Sequence, residues 1–299
     1  DVAGVKAASV QNMALIVLST HHLQYKKCLL MTKVYLPGET KEQRKLRKRK
    51  QKQSKLLQVD TIPTAQTDIK YVCCLKWGNK YSAEYVNKLH SMVSRNLIIP
   101  HEFVCFTDDN TGLDKNIKTY NLPKLPVLGW WFKVWFLSDE LPFTGTLLFL
   151  DLDLIVFRNI DNLFYYRPDN DFIIIRDFNR FARAGYDRMN SSVFRIKIGS
   201  LKHIYQKFIG DITHWTKRLH GDQDFMFKEI HNHIFWPDEW IQSYKWEMRA
   251  KHDLSLINGK RNFRAPGIPV ILDETSIAVF HGNPDIHDCV DEWPKNNWG

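Results

Sequence analysis

The stretch that decides the fold is Thr146–Val156, with the sequence TLLFLDLDLIV. Only Asp151 and Asp153 interrupt its apolar run. A nearly continuous apolar run is typical of a strand that is buried on both faces of a parallel sheet, so we predict one strand over these residues. Strands alternate with helical patterns from residue 71 onward, which predicts an α/β architecture.

The elements around this stretch follow from the spacing of their apolar residues. A helix that is capped by Ser82 and runs to about Arg95 is predicted, because its apolar residues recur at the spacing of one helical face. A second helix is predicted over Trp130–Leu137. Further strands are predicted over residues 71–75, 103–106, 117–120, 172–175, 193–196 and 277–280.

Charge divides the 299-residue chain into two parts. Lys and Arg exceed Asp and Glu by nine in residues 1–70, which accounts for the whole net charge of +9. Most of the excess lies in the basic run Lys41–Lys55. Such a run can contact nucleic acid or anionic lipid, although a solvated tail is the simpler interpretation. We predict a basic, poorly structured arm over residues 1–68 and one domain over residues 69–299.

Cysteine spacing and hydropathy give information about the cellular compartment of the protein. The five cysteines show neither a disulfide-framework spacing nor a zinc-site spacing. No apolar run approaches the roughly 18–20 residues that a membrane span needs. We therefore expect a cytoplasmic protein without a membrane span.

The two carboxylates in the decisive stretch predict a metal site. Residues two apart on a strand face the same way, so Asp151 and Asp153 can present both carboxylates together. Open α/β sheets bind ligands at the carboxyl ends of their strands. Hard oxygen ligands suit Mg²⁺ or Mn²⁺, which would bridge to a substrate diphosphate. Alternatively, one Asp caps the following turn and the other is solvated.

A phosphatase of the haloacid dehalogenase type is a second alternative, because such enzymes also carry D-x-D at a strand end. Their motif normally continues with Gly-Thr and lies on the first strand of the chain. In this sequence Leu154 and Ile155 follow the motif, and two or three predicted strands precede it. Both differences count against a phosphatase.

Four short motifs occur in order along the chain. They are Trp77-Gly78-x-Lys80-Tyr81, Cys105-Phe106-Thr107-Asp108-Asp109, Trp130-Trp131-x-Lys133 and Leu150-Asp151-Leu152-Asp153. Together they resemble bacterial and phage glycosyltransferases with the GT-A fold, related to glycosyltransferase family 8. The resemblance covers roughly residues 70–285. It implies a single Rossmann-like nucleotide-diphospho-sugar transferase domain, and UDP as the nucleotide.

The resemblance also implies roles on the donor side. The loop residues Trp77, Lys80 and Tyr81 would hold the nucleotide. Asp108 would accept hydrogen bonds from the base or ribose, and Lys133 would meet phosphate.

Three downstream segments extend the resemblance. Met189–Phe194 is similar to an Asn-containing strand that faces the donor sugar, and Gly221–Asp224 to a helix start that approaches the anomeric carbon. Asn190, Asp222, Gln223 and Asp224 would therefore address the transferred sugar. His281 is similar to a third metal ligand beside Asp151 and Asp153. The Lys-Pro-Trp that usually follows in the family is not evident here, and Lys295 instead comes directly after Trp293-Pro294.

Each of these residues also has a simpler interpretation. Asp222 follows Gly and precedes a helical pattern, so it could be only a helix cap. Asn190 could be a turn residue without a ligand. His281 could be a hydrogen-bonded structural histidine.

The predicted function is metal-dependent transfer of a sugar from a nucleotide-sugar to a hydroxyl acceptor, with a saccharide as the first choice of acceptor. Similarity to family 8 implies retention of configuration, whereas Asp222 or Asp224 would be the candidate general base of an inverting enzyme. Hydroxymethylated DNA bases are an alternative acceptor, because the arm is basic. A non-catalytic nucleic-acid-binding protein is an alternative from a different class.

Overall fold

The computed structural model describes residues 69–249 and 267–299, together with the backbone of residues 256–257 and 260–261. The predicted arm over residues 1–68, its basic run and Cys28 lie outside the described residues. The arm and the domain boundary at residue 68 therefore stay predictions.

Seven strands form the central sheet: β1 (Lys70–Lys76), β2 (His101–Thr107), β3 (Lys118–Asn121), β4 (Thr146–Leu150), β6 (Phe172–Arg176), β7 (Met189–Lys197) and β8 (Ile234–Phe235). Their order across the sheet is β3-β2-β1-β4-β7-β6-β8. The first four strands in this order run parallel, and β7 is antiparallel to β4. β6 runs antiparallel to β7 and parallel to β8. The sheet is therefore mixed, with a parallel half that begins at β3.

The decisive stretch is not one strand, and that prediction was wrong. β4 ends at Leu150, and the chain bends before β5 (Leu154–Val156). β5 belongs to a second sheet with β12 (Ile277–Val279) and β9 (Ile241–Ser243), in the order β5-β12-β9. Both strands are buried. The apolar run therefore reflects burial in two different sheets, and its two aspartates lie where the chain passes from one sheet to the other.

Helices flank these sheets: α1 (Ala83–Asn96), α2 (Asp161–Tyr165), α3 (Lys202–Gly210), α4 (Ile212–Arg218), α5 (Asp222–Glu229) and α6 (Glu292–Asn297). The predicted first helix is confirmed as α1, although Ser82 makes no capping hydrogen bond with its side chain. The second predicted helix, over Trp130–Leu137, is found as a 3-10 helix over Gly129–Leu137. The two short strands β10 (Leu256–Ile257) and β11 (Lys260–Arg261) form a hairpin.

Apolar residues fill both faces of the central sheet. One cluster packs α1 and the second sheet against one face of the central sheet, through residues such as Val72, Leu89 and Leu148. The other packs the 3-10 helix, α3 and α5 against the opposite face, through residues such as Phe106 and Phe149. Cys73, Cys74, Cys105 and Cys289 are buried and unpaired. No helix within the described ranges is long and apolar enough to cross a membrane.

Candidate active site

Asp151 and Asp153 lie in the bend between β4 and β5, where backbone hydrogen bonds tie the chain to both sheets. The amide of Asp151 donates to the carbonyl of Ser192 in β7, at 2.9 Å. The carbonyl of Asp153 accepts from the amide of Phe280, just after β12, at 2.8 Å. The motif is therefore held at the junction of the two sheets, at the carboxyl end of β4, where α/β sheets bind ligands.

Asp151 is paired with Lys133 from the 3-10 helix. The Lys133 ammonium lies 2.7 Å from Oδ2 of Asp151, and only 7% of Lys133 is exposed. Burial lowers the pKa of this ammonium, but Asp151 and Asp222 raise it more, so that the net pKa lies above the ordinary value. Lys133 therefore stays charged and fixes the carboxylate of Asp151.

Asp153 is incompletely satisfied. Its Oδ2 accepts a hydrogen bond from the hydroxyl of Tyr81 at 3.3 Å, whereas its Oδ1 is buried and has no hydrogen-bond partner. Burial, and then the charge of Asp151, raise the pKa of this carboxyl to about 7. A buried carboxylate oxygen without a partner is costly, and a hard divalent cation is a ligand that would satisfy it. The aspartate pair therefore fits Mg²⁺ or Mn²⁺.

The predicted loop residues share a cavity with this pair. Trp77, Lys80 and Tyr81 line a cavity of about 190 Å³ together with Lys133, Asp151 and Asp153. Asp108 is exposed and lines a neighbouring recess at the ends of β2 and β3. Its Oδ2 accepts a hydrogen bond from the amide of Gly78 at 2.9 Å. Asp108 therefore braces the Trp77–Tyr81 loop, and its role toward a base or ribose stays a prediction.

Asp222 begins α5 and lies beside the same lysine. It is buried, and its Oδ2 has no hydrogen-bond partner. Burial raises the pKa of this carboxyl, against the opposing charge of Lys133. Gly221 occupies the helix cap, and any side chain there would clash with the ring of Trp130. The interpretation of Asp222 as a simple cap is therefore wrong.

Gln223 joins three elements. Its Oε1 accepts from the amide of Ser191 in β7 at 3.3 Å, and its Nε2 donates to the carboxylate of Asp177 after β6. Asn190 lies within β7, and its Oδ1 accepts from the amide of Ser192 at 2.9 Å. Asn190 therefore lies in a strand rather than in a turn, and its role toward the sugar stays a prediction.

Asp224 occupies a more open position. Its carboxylate accepts from Arg188 at 3.4 Å and from the amide of His220 at 3.3 Å. Asp222, Gln223 and Asp224 line a second cavity of about 480 Å³, which Trp130 and Lys133 share with the first cavity. Three of the four predicted sugar-facing residues, all except Asn190, thus line one cavity next to the predicted donor residues.

His281 lies two residues after the end of β12. It directly follows Phe280, whose amide bonds to the carbonyl of Asp153. Its Nε2 lies 2.7 Å from the hydroxyl of Ser243, and its ring stacks on Phe178. Burial, and then the charge of Lys245, lower the pKa of the His281 imidazole to about 4. The ring is therefore neutral at pH 7, as a metal ligand must be, and the third-ligand role stays a prediction.

The ligand atoms of Asp151, Asp153 and His281 do not all lie within 4.8 Å of one another. Among residues 69–249 and 267–299, one group of three possible ligands does meet this distance, and it consists of Asp285, His287 and Asp288. Asp151 is engaged by Lys133, and His281 by Ser243. If His281 joined the two aspartates as a ligand through Nε2, it would have to exchange or share its hydroxyl partner.

Sequence reasoning missed Asp177 and Lys245, and it named Trp130 only as part of a motif. Asp177 is buried and holds Gln223, and its position one residue beyond the carboxyl end of β6 was the available clue. Trp130 lines both cavities, and its Nε1 donates to the carbonyl of His220 at 3.2 Å. Lys245 is buried beside the second sheet, and burial lowers the pKa of its ammonium to about 8. No sequence motif singled it out.

No family model and no curated protein matches the sequence. Solved structures do match. The galactosyltransferase LgtC is 13% identical with a TM-score of 0.53, over 76% of this chain and 93% of that one. The glycosyltransferase GlyE of Streptococcus pneumoniae TIGR4 is 14% identical with a TM-score of 0.53, over 77% of this chain and 60% of that one. At these identities the likeness shows the fold, and the chain has the α/β GT-A architecture of these glycosyltransferases.

Proposed function

We propose that the chain is a metal-dependent glycosyltransferase related to family 8, which moves a sugar from a nucleotide-sugar, in the first place a UDP-sugar, to a hydroxyl acceptor. The observation that carries this proposal is the aspartate pair. Asp153 presents a buried oxygen without a partner beside a cavity lined by the Trp77–Tyr81 loop. The GT-A fold supports the same conclusion, because it is shared with known glycosyltransferases.

Asp151, Asp153 and His281 would hold Mn²⁺ or Mg²⁺. A divalent cation held there supplies positive charge for the diphosphate that leaves the donor sugar. The ion pair with Lys133 keeps Asp151 in place, and the hydroxyl of Tyr81 orients Asp153 through Oδ2. The side chains of Trp77 and Lys80 would cover the nucleotide. Because Lys133 and Tyr81 already hold the two carboxylates, these carboxylates need little reorganisation when charge develops on the leaving group.

Asn190, Asp222, Gln223 and Asp224 would act on the transferred sugar. The side-chain amide of Gln223 bonds to Ser191 through its oxygen and to Asp177 through its nitrogen, and these two bonds fix its position. Family 8 kinship favours retention of configuration. If the reaction inverts, Asp222 is the stronger general base, because burial raises the pKa of its carboxyl whereas Asp224 is engaged by Arg188.

A saccharide is the acceptor that we propose. The second cavity is open, and it adjoins the first at Trp130 and Lys133. Trp130 and Tyr186 offer aromatic faces there, and Asp177 and Asp224 offer hydrogen-bond acceptors for hydroxyl groups. The nucleic-acid alternatives depend on the basic run over residues 41–55, which lies outside the described residues, and we do not propose them.

Donor turnover tests this proposal. The purified chain is given UDP-, GDP-, ADP- and dTDP-sugars with Mn²⁺ or with EDTA, and release of the nucleoside diphosphate is followed by mass spectrometry. We expect turnover of at least one donor with Mn²⁺, loss in EDTA, and loss by orders of magnitude in Asp153→Asn. Asp288→Asn is the matched control, because Asp288 is exposed and does not belong to the aspartate pair. Full turnover in EDTA or in Asp153→Asn would refute the metal-dependent mechanism.

A further inference from the structure

Lys245 is a buried cation with few partners. It lies in the π-helix Tyr244–Arg249, directly after β9, and only 4% of it is exposed. Within the described residues its ammonium donates one hydrogen bond, to the carbonyl of Asn283 at 2.8 Å, and makes no ion pair within 4 Å. An ammonium has three donors, and a lysine is seldom buried unless it is paired. The buried charge therefore calls for an anionic partner.

The surroundings of this ammonium place it next to the proposed metal site. Its acceptor Asn283 lies two residues after His281, on the segment whose Phe280 amide bonds to the carbonyl of Asp153. Burial lowers the pKa of this ammonium, whereas the charges of Asp153 and Asp285 raise it. A Cβ atom at Gly282 would lie 3.6 Å from Nζ of Lys245, so the glycine leaves the side of the ammonium open.

The other lysines near the site are less suited to meet an anion. Lys133 is bound to Asp151 at 2.7 Å and to the carbonyl of Ser191 at 3.3 Å, so its donors are largely used. Lys295 lies on α6, where its side chain is 55% exposed and 3.6 Å from Glu292. Lys80 is exposed on the loop that follows β1.

We propose that Lys245 binds the diphosphate of the nucleotide-sugar donor and of the nucleoside diphosphate that leaves. This inference rests on the proposed function and assigns to it a cation that no sequence motif predicted. The diphosphate would lie between the metal at Asp151 and Asp153 and the ammonium of Lys245. Charge-assisted hydrogen bonds to phosphate oxygens would then satisfy the donors that the protein leaves open. Because negative charge grows on the diphosphate as the sugar departs, the contact would strengthen during the reaction.

Binding measurements test this assignment apart from activity. Calorimetric titrations with UDP, GDP, ADP and dTDP in Mn²⁺ identify the nucleotide bound by the wild-type chain, and the matching nucleoside without phosphate is titrated in parallel. In Lys245→Met we expect affinity for the diphosphate to fall roughly ten- to a hundredfold, the scale of a hydrogen bond to a charged group. Affinity for the nucleoside should be unchanged. Lys295→Met is the matched control and should bind like the wild type.

The outcomes distinguish a failure of the proposed function from a failure of the assignment of Lys245. If the wild-type chain binds none of the diphosphates, the proposed function fails. If it binds one and Lys245→Met binds it equally well, the function stands and the assignment of Lys245 is wrong. Lys245→Arg should recover part of the affinity, because it keeps the charge. Thermal melting checks the fold, and Lys245→Gln is measured in the same way should the Met variant not fold. Unfolding of both variants would show a structural role and overturn the proposal.

Discussion

Replacing Asp153 with Asn should stabilise the metal-free protein at high pH while it removes activity. Asn keeps the shape of the side chain and an acceptor for Tyr81, but it places no charge on the buried oxygen that has no partner. Burial and Asp151 raise the pKa of Asp153 from 3.8 to about 7. A shift of this size corresponds to roughly 4 kcal/mol, taken as an upper bound.

The sign follows from proton linkage. Between the unfolded and folded pKa values of Asp153 the folded state binds the extra proton, so the free energy of unfolding falls as pH rises from about 4 to about 7. Below this window the carboxyl is protonated in both states, and the wild type and Asp153→Asn should be similar. Above it the wild type carries the full cost of the buried charge. The variant should therefore be more stable than the wild type at pH 8, by up to about 4 kcal/mol.

Urea unfolding in EDTA at pH 5, near the lower end of this window, and at pH 8, above it, measures this difference, which should be smaller at pH 5. Asp288→Asn, at an exposed carboxylate, controls for the general effect of losing a negative charge. Mn²⁺ at pH 8 should stabilise the wild type and have little effect on Asp153→Asn, because a cation that binds the folded state adds to its stability. An equal difference at both pH values, or equal stabilisation of both proteins by Mn²⁺, would refute the reasoning.

Four further predictions concern the other groups of the site and the arm. Lys133→Met leaves the half-buried carboxylate of Asp151 without its cation, so it should cost roughly 1–3 kcal/mol in a urea titration, whereas no measurable loss would contradict a stabilising pair. His281→Ala should weaken Mn²⁺ binding in a calorimetric titration, and unchanged affinity would remove His281 from the ligand set. Gln223→Ala should lower turnover while donor affinity is retained, because Gln223 bonds to Ser191 and Asp177 rather than to the aspartate pair. Deletion of residues 1–66 should leave donor hydrolysis nearly unchanged, and loss of the cooperative melting transition would show that the arm belongs to the fold.

The alternation of apolar strands with helical patterns was enough to predict the α/β class. Burial on both faces forces β1, β2 and β4 to be apolar, so their positions can be read from composition alone. Aspartates within such a run are costly without a partner, and this cost is what makes Asp151 and Asp153 candidate ligands from the sequence alone. The GT-A architecture was inferred from the order of the motifs, and the structure confirms it.

The partners of these residues could only come from the tertiary structure, because they lie far apart in the chain. Local composition reports that residues 146–156 are buried, but it cannot report that they enter two different sheets. Lys133 reaches Asp151 across 18 residues, and Gln223 reaches Asp177 across 46. Lys245 donates to the carbonyl of Asn283, 38 residues away. Periodicity carries information about which face of an element is buried, whereas these contacts are set by how whole elements pack against one another.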